Sequence, residues 1–418
     1  MEQNSSIDQQ SFYGIAQWES HLTDFIKLKA SGYLQRTNFK NPFILDFKEE
    51  RQTEFGARVN VQYEFKMLKK QAVLNAGFET QRARTKAENF TNTNGIKDSL
   101  RFSDLLQPRQ LFFYQNLDWK ASQALNITAG LSQNLTRLDI DRRQDEVFSK
   151  PGRVVREFEV EWIPRIAAVY DIDAQKSLYA NISFGYSPPS IDEVRTNEGS
   201  VNLDLNPERG INYELGLRAE SNTKKLQVDA SFFYFRLSNT ITTFTDPQGV
   251  VLFTNSGSTD QFGVEVQGLW KIVQPRESSI SSLSAKAAYT RHFFKFDGLV
   301  SNAVVLDGNR LPGVAPHRIS LSLDGLLWNA MHISLSHVYV DALPLNNTNT
   351  VFQSAYHFSS LQLGYAFTLK NATVELFGGA DNLLNQSFSF GNDLNAFGER
   401  FYQPAPKRNA YLGLNLVF

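Results

Sequence analysis

Apolar and polar residues alternate with a period of two from near the start of the chain to its last residue, and this predicts β-strands throughout. Over 57–65, Ala57, Val59, Val61, Tyr63 and Phe65 point one way, while Arg58, Asn60, Gln62 and Glu64 point the other. The same reading holds for Ile211, Tyr213, Leu215 and Leu217 against Asn212, Glu214, Gly216 and Arg218. It holds again for Leu361, Leu363, Tyr365 and Phe367 against Gln362, Gly364, Ala366 and Thr368. Helical periodicity is not evident over any stretch long enough to form a packed helix.

Connections between these strands alternate in length. Short ones are expected near 21–24, 66–70, 121–124, 173–176, 221–225 and 327–330. Long polar ones are expected near 38–50, 86–105, 140–154, 188–207, 240–250, 297–311, 342–352 and 384–399. Short turns on one side and long loops on the other describe a transmembrane antiparallel up-and-down β-barrel. A sandwich or propeller also alternates, but does not sort its loops by length so regularly. In lipid every backbone N–H and C=O needs a partner, so a sheet spans only by closing on itself. The apolar set then faces lipid, and residues such as Asn60, Glu64, Glu214 and Arg218 face a wet lumen.

The alternation supports about 17 strands in one barrel domain over 1–418, whereas single-chain bacterial barrels have even counts. The first strand, near Phe12–Trp18, enters a short turn and so points towards the periplasm, as does the last. The expectation is a chain that begins in an extracellular loop, with an odd number of strands ahead of it, from a parent of about 22 strands.

Composition narrows the function classes. With 42 basic and 43 acidic residues, no strong field marks a nucleic-acid partner. No cysteine is present, which excludes disulfides, thiolate metal sites and cysteine nucleophiles. No run of roughly 18 apolar residues offers a membrane-spanning helix. The polar start, Met1–Gln10, has no signal-peptide core, so a secreted reading implies processing or a start further upstream.

Four segments resemble the TonB-dependent outer-membrane receptors. The first runs through Tyr186, Pro188, Pro189, Ser190 and Glu193 to Pro207, Glu208, Asn212, Tyr213, Glu214 and Gly216. The second is Phe232–Ile241, and the third Asn255, Gly257, Gly263 and Glu265. The fourth is Asn382 and Leu383 with Arg408 and Asn409. The chain's end, with Tyr411, Gly413, Leu416 and Phe418, is similar to the terminal assembly signal of outer-membrane barrels. The motif residues read as architecture: Pro188 and Pro189 end a strand. Gly216, Gly263 and Gly413 face the lumen or relieve crowding. Asn255 and Gly257 suit a loop with unusual backbone angles.

The resemblance implies a receptor or transporter in the bacterial outer membrane for energised uptake of a ferric chelate (a siderophore complex or ferric citrate) or a similar scarce solute such as haem or cobalamin. It also implies as partners the membrane lipid and lipopolysaccharide, the barrel assembly machinery, and the TonB–ExbB–ExbD energising complex acting through an N-terminal region and plug that this sequence lacks. A passive pore or a non-functional barrel fragment is the alternative.

No enzyme chemistry stands out. The histidines at 21, 292, 317, 332, 337 and 357 fit no metal-ligand spacing, and no carboxylate pair or cofactor motif is evident. A barrel-scaffold enzyme would require a Ser/His/Asn or Asp/His constellation at the rim. For an anionic chelate the candidates are loop arginines, because guanidinium matches carboxylates bidentately. These are Arg142, Arg143, Arg153, Arg195, Arg310 and Arg400.

Overall fold

The computed structural model describes residues 5–42, 46–145, 152–196, 199–245, 251–255, 257–274, 280–301, 304–370 and 372–417. Nineteen strands among them are joined edge to edge in ladders. They are β1 (Asp8–Thr23), β2 (Ile26–Pro42), β3 (Asp46–Met67), β4 (Lys70–Thr93), β5 (Ile96–Leu106), β6 (Arg109–Lys120), β7 (Leu125–Asp145), β8 (Gly152–Glu157), β9 (Glu161–Asp171) and β10 (Lys176–Ser187). There follow β11 (Glu208–Glu220), β12 (Leu226–Ser238), β13 (Ser258–Val273), β14 (Ile280–Asp297), β15 (His317–Leu327), β16 (Met331–Val340), β17 (Tyr356–Leu369), β18 (Ala372–Asp381) and β19 (Asn409–Val417). Among the described residues no helix is long and apolar enough to cross a membrane.

Sequential neighbours pair antiparallel, as in β2 with β3 and β15 with β16. Two spans are broken. β4 pairs first with β6 and then, nearer its loop end, with β5. The break falls at Gln107 and Pro108, where proline has no N–H for the ladder. β8 and β9 likewise follow one another along β7. Counting each broken pair once leaves seventeen spans, in agreement with the alternation.

Several expected loops are instead paired strand, including 140–154, where Arg142 pairs opposite Gly152, and 240–250, where Ile241–Thr245 pairs with Val251–Asn255. The 38–50 region continues the β2–β3 ladder to Pro42 opposite Phe47. The 86–105 region is a hairpin of β4 and β5 that closes at Asn94 and Gly95, both with positive φ. An Asn-Gly pair is the residue choice that a two-residue hairpin needs, so the turn was written in the sequence and hidden by its polar surroundings. Residues 146–151 and 246–250 of the expected loops, and Phe418 of the terminal signal, lie outside the described residues.

The chain divides into two compact units. The first comprises Met1–Ala168, Ile182–Gly210 and Ile241–Asn255; the second comprises Val169–Asn181, Ile211–Thr240 and Ser256–Phe418. In each, one sheet face is apolar and open while the other carries hydrogen-bonded polar groups. In the first unit the polar face holds Tyr33 donating to Glu54 at 2.7 Å, Gln81 to the same carboxylate at 2.7 Å and Tyr114 to Asn60 at 3.1 Å. In the second, Leu321, Leu335 and Leu363 stand exposed on one face, with Ser322, Ser334 and Gln362 on the other. Ser334 donates to Asp324 there at 2.8 Å.

Aromatic rings on the polar face lie over glycines of the neighbouring strand. A Cβ on Gly56 would meet Tyr33, one on Gly216 Tyr179, one on Gly263 Phe233 and one on Gly413 Phe377, each within 2.3 Å of a ring atom. The glycines let a curved sheet bring a ring flat against backbone.

Small buried cores sit at the loop ends instead of between layers. One in the first unit gathers Ala87, Leu106, Leu138, Ile140, Phe158, Val194 and Leu205. In the second unit, one holds Val340, Leu343, Leu345 and Phe401, and another Phe296, Leu299 and Leu306.

Candidate functional site: the loop-end clusters

In the first unit, β10 stops before Pro188 and Pro189, and the chain makes one helical turn, Ile191–Val194. Ser190 caps it, accepting from the Glu193 N–H at 3.3 Å, and Glu193 accepts in return from the Ser190 N–H at 2.6 Å. Val194 then enters the loop-end core, which turns the following Arg195 inwards.

Arg195 is wholly buried. Its Nε donates to Asp104 Oδ2 at 2.8 Å and its Nη2 to Asn89 Oδ1 at 2.7 Å. Arg142 grips the same Asp104, from Nε at 2.8 Å and Nη2 at 3.0 Å. Its Nη1 reaches Asp145 at 3.0 Å and the Gly199 carbonyl at 2.6 Å. The Phe102 ring lies under both, 5.3 Å from the Arg142 guanidinium carbon and 5.0 Å from that of Arg195. Asn89 donates onward to Asp46 at 2.6 Å. Arg142 and Arg195 therefore meet at one carboxylate and bind the loop to β4, β5 and β7.

Arg153 is exposed, yet donates from Nε to Asp139 Oδ1 at 2.9 Å. These hydrogen bonds hold the Asp139 carboxyl, on the loop-end extension of β7, below the usual carboxylate range. Arg143 lies more than half exposed beside Asp141, 3.4 Å away. In the second unit, Arg310 stacks over Phe352 at 5.3 Å, and Arg400 is exposed after the short helical turn Phe397–Glu399.

Asparagines stitch the second unit's loops. Asn349 accepts from the Arg310 N–H at 2.8 Å and donates to the Arg310 carbonyl at 2.9 Å. Asn395 accepts from the Asn347 N–H at 2.9 Å, and Asn309 donates to the Asn347 carbonyl at 2.9 Å. Tyr402 donates to the Phe352 carbonyl at 3.1 Å. The result is a built surface on which Phe352 and Tyr402 are exposed and Arg310 is half-buried.

The motif residues prove to be partners of one another. Asn255 accepts from the Asn206 N–H at 2.6 Å and donates to its carbonyl at 2.9 Å, while Glu208 accepts from the Ile241 N–H at 2.8 Å. Gly257 has the expected positive φ; Asn255 acts through its side chain instead. Asn382, fully buried with positive φ, donates to the carbonyls of Gln386 at 2.9 Å and Pro406 at 3.1 Å. The Leu383 N–H donates to the Ser359 carbonyl at 2.9 Å, and the Arg408 N–H to Asn385 at 3.1 Å. Asp104, Asn89 and Phe102 escaped the sequence reading, since nothing local distinguishes them from other alternating strand residues.

A family model described as TonB dependent receptor-like, beta-barrel matches residues 2–383. The chain is similar to the pesticin receptor of Yersinia enterocolitica, 23% identical over 282 residues, covering 66% of this chain and 39% of that protein. It thus spans 39% of the length of such curated relatives. Its fold is similar to that of the ferric citrate transporter FecA in the unliganded form, with TM-score 0.80 at 14% identity, covering 99% of this chain and 62% of the other. It is also similar to that of the ferric yersiniabactin uptake receptor FyuA from Yersinia pestis, with TM-score 0.73 at 16% identity, covering 99% and 61%.

Proposed function

Because this chain belongs to the TonB-dependent receptor-like β-barrel family, we propose that it is the barrel of an outer-membrane receptor for energised uptake of a ferric chelate, a siderophore complex or ferric citrate. Barrels of this family are outer-membrane transport proteins of Gram-negative bacteria, not enzymes. The proposed barrel is one domain, and energy reaches it from the TonB complex of the inner membrane.

The observation that carries the reading is the division of labour among loop arginines. Arg142 and Arg195 are neutralised inside a network that holds their loop in place. Arg310, half-buried, stacks over Phe352 on an asparagine-stitched surface where Tyr402 donates to the Phe352 carbonyl, and Arg400 is exposed. Rigid loops, guanidinium groups that are exposed at Arg400 and half-buried at Arg310, and aromatic rings suit a bulky anionic chelate with carboxylate or catecholate oxygens. The names of FecA and FyuA, ferric citrate transporter and ferric yersiniabactin uptake receptor, support the same class of cargo.

The test is accumulation of radioactive iron by cells expressing the protein and lacking their own receptors, supplied with ferric citrate, a ferric catecholate or a ferric hydroxamate. Saturable accumulation abolished by an uncoupler is expected. Accumulation that survives the uncoupler overturns energised uptake in favour of a passive pore, and none above empty cells overturns the receptor reading. Arg310→Ala with Arg400→Ala is expected to raise the half-saturating concentration about tenfold.

A further inference from the structure

On the apolar face of the second unit, a cation stands without a carboxylate. Arg291 lies opposite His317 in the β14–β15 ladder and opposite Val264 in the β13–β14 ladder. Directly opposed residues share a sheet face. Arg291 is therefore on the face of Val264, Val266, Leu321 and Leu335, the one that turns exposed leucines outwards. A charge on such a face is expensive unless something pairs with it.

Its neighbours orient it but do not neutralise it. The guanidinium carbon sits 4.5 Å from the centre of the Phe293 ring, and Nη1 donates to His317 Nε2. With Nε2 accepting, the ring proton is assigned to Nδ1, which donates to the Tyr289 hydroxyl oxygen at 2.9 Å. The Tyr289 O–H is then left to donate elsewhere. Among the described residues, no carboxylate is within ion-pair distance of Arg291. Asp341, one strand over, accepts from the Tyr339 hydroxyl at 3.3 Å and the Ala342 N–H at 2.8 Å.

Two same-face rungs further towards the loops, at the level of Arg236 and Asp260, the pattern reverses. Arg236 is paired with Asp297 at 2.6 Å, and Tyr234 donates to Asp260 at 2.6 Å. Between the two levels lie the rings of Phe262 and Phe293, 5.4 Å apart, and Phe232, in the rung of Arg291 itself, packs 4.6 Å from Phe262. Paired charges above, a row of aromatic rings, then leucines below mark the membrane–water boundary on the long-loop side. Arg291 stands at that boundary, where the available anions are lipid headgroups.

We propose that Arg291 and Tyr289 form a binding site for the phosphate of a phosphorylated lipid of the outer leaflet, with His317 as a positioning residue between them. The guanidinium offers a fork of N–H donors to phosphate oxygens, and the hydroxyl adds another. The site is on the lipid face and so is separate from any cargo path through the lumen. Its assignment to the outer leaflet rests on the receptor reading above.

The test uses the full chain, extracted in mild detergent from the outer-membrane fraction, with phosphorylated lipid counted by native mass spectrometry. Bis-phosphorylated lipid A is then titrated back, with a dephosphorylated form and inorganic phosphate as separate arms. Wild-type protein is expected to retain the phosphorylated lipid in preference to the dephosphorylated one. Arg291→Gln should weaken that binding about fivefold. Tyr289→Phe should weaken it less, and Arg236→Gln should leave it unchanged. Heat-modifiable migration on a gel verifies that each variant is folded. Equal retention by wild type and both site variants overturns the site, as does equal binding of the dephosphorylated lipid; competition by free phosphate alone reduces it to an anion site. Failure of the chain to fractionate with the outer membrane overturns the placement instead, and so separates the two readings.

Discussion

Arg195 donates to Asp104 at 2.8 Å across 91 positions of sequence, with both side chains wholly buried. Removing one partner of a buried ion pair leaves the other charge uncompensated, at a cost of about 3–5 kcal/mol. In Arg195→Leu, amide exchange across 188–207 should accelerate by about two to four orders of magnitude. Protection in β19 should not change. Asp104→Asn should act on the same loop, and combining the two should cost less than their sum. Unchanged exchange in both variants would remove the network from any role in ordering the loop.

Gly216 lies under the ring of Tyr179, where a Cβ would come within 2.1 Å of Cζ. The ring cannot swing aside without breaking its hydrogen bond to Asp229. Gly216→Ala should therefore destabilise by about 1–3 kcal/mol. Gly268, where an added Cβ finds its nearest neighbour at 3.6 Å, should tolerate alanine. Urea unfolding in lipid vesicles measures both, and Tyr179→Ala should rescue the Gly216 variant.

Leu321 and Ser322 are adjacent in the chain but opposite in the sheet. If the leucine face meets lipid, Leu321→Arg should cost about 2–4 kcal/mol, because the charge enters hydrocarbon. Ser322→Arg should cost much less, since the new side chain enters a hydrated polar face. Comparable costs in the same vesicle assay would contradict the assignment of faces.

The Arg153 guanidinium holds the Asp139 carboxyl below its ordinary range. A carboxylate depressed on folding adds stability that is complete above the unfolded pKa, about 3.9, and is lost as pH falls through the folded value. Protection of β8, corrected for intrinsic exchange, should stay level from neutral pH down to about pH 5 and fall only below about pH 4. Asp139→Asn should flatten that acid limb. A loss centred near neutrality would assign the effect to another group.

The division of Leu363 from Gln362 was legible in the sequence, because strand geometry repeats every two residues and needs no distant information. So were the spans, the short turns and the family motifs, each set by residues within one segment. The roles of Arg142 and Arg195 were not, since the charge that neutralises them sits on another strand. The partnership of Asn206 with Asn255, the ring over Gly216 and the contact of Arg291 with His317 share that property. Chain chemistry alone decided which faces are apolar. Which polar groups meet was decided by ladder register and loop packing, because a hydrogen bond is a matter of ångströms and alternation is only a matter of parity.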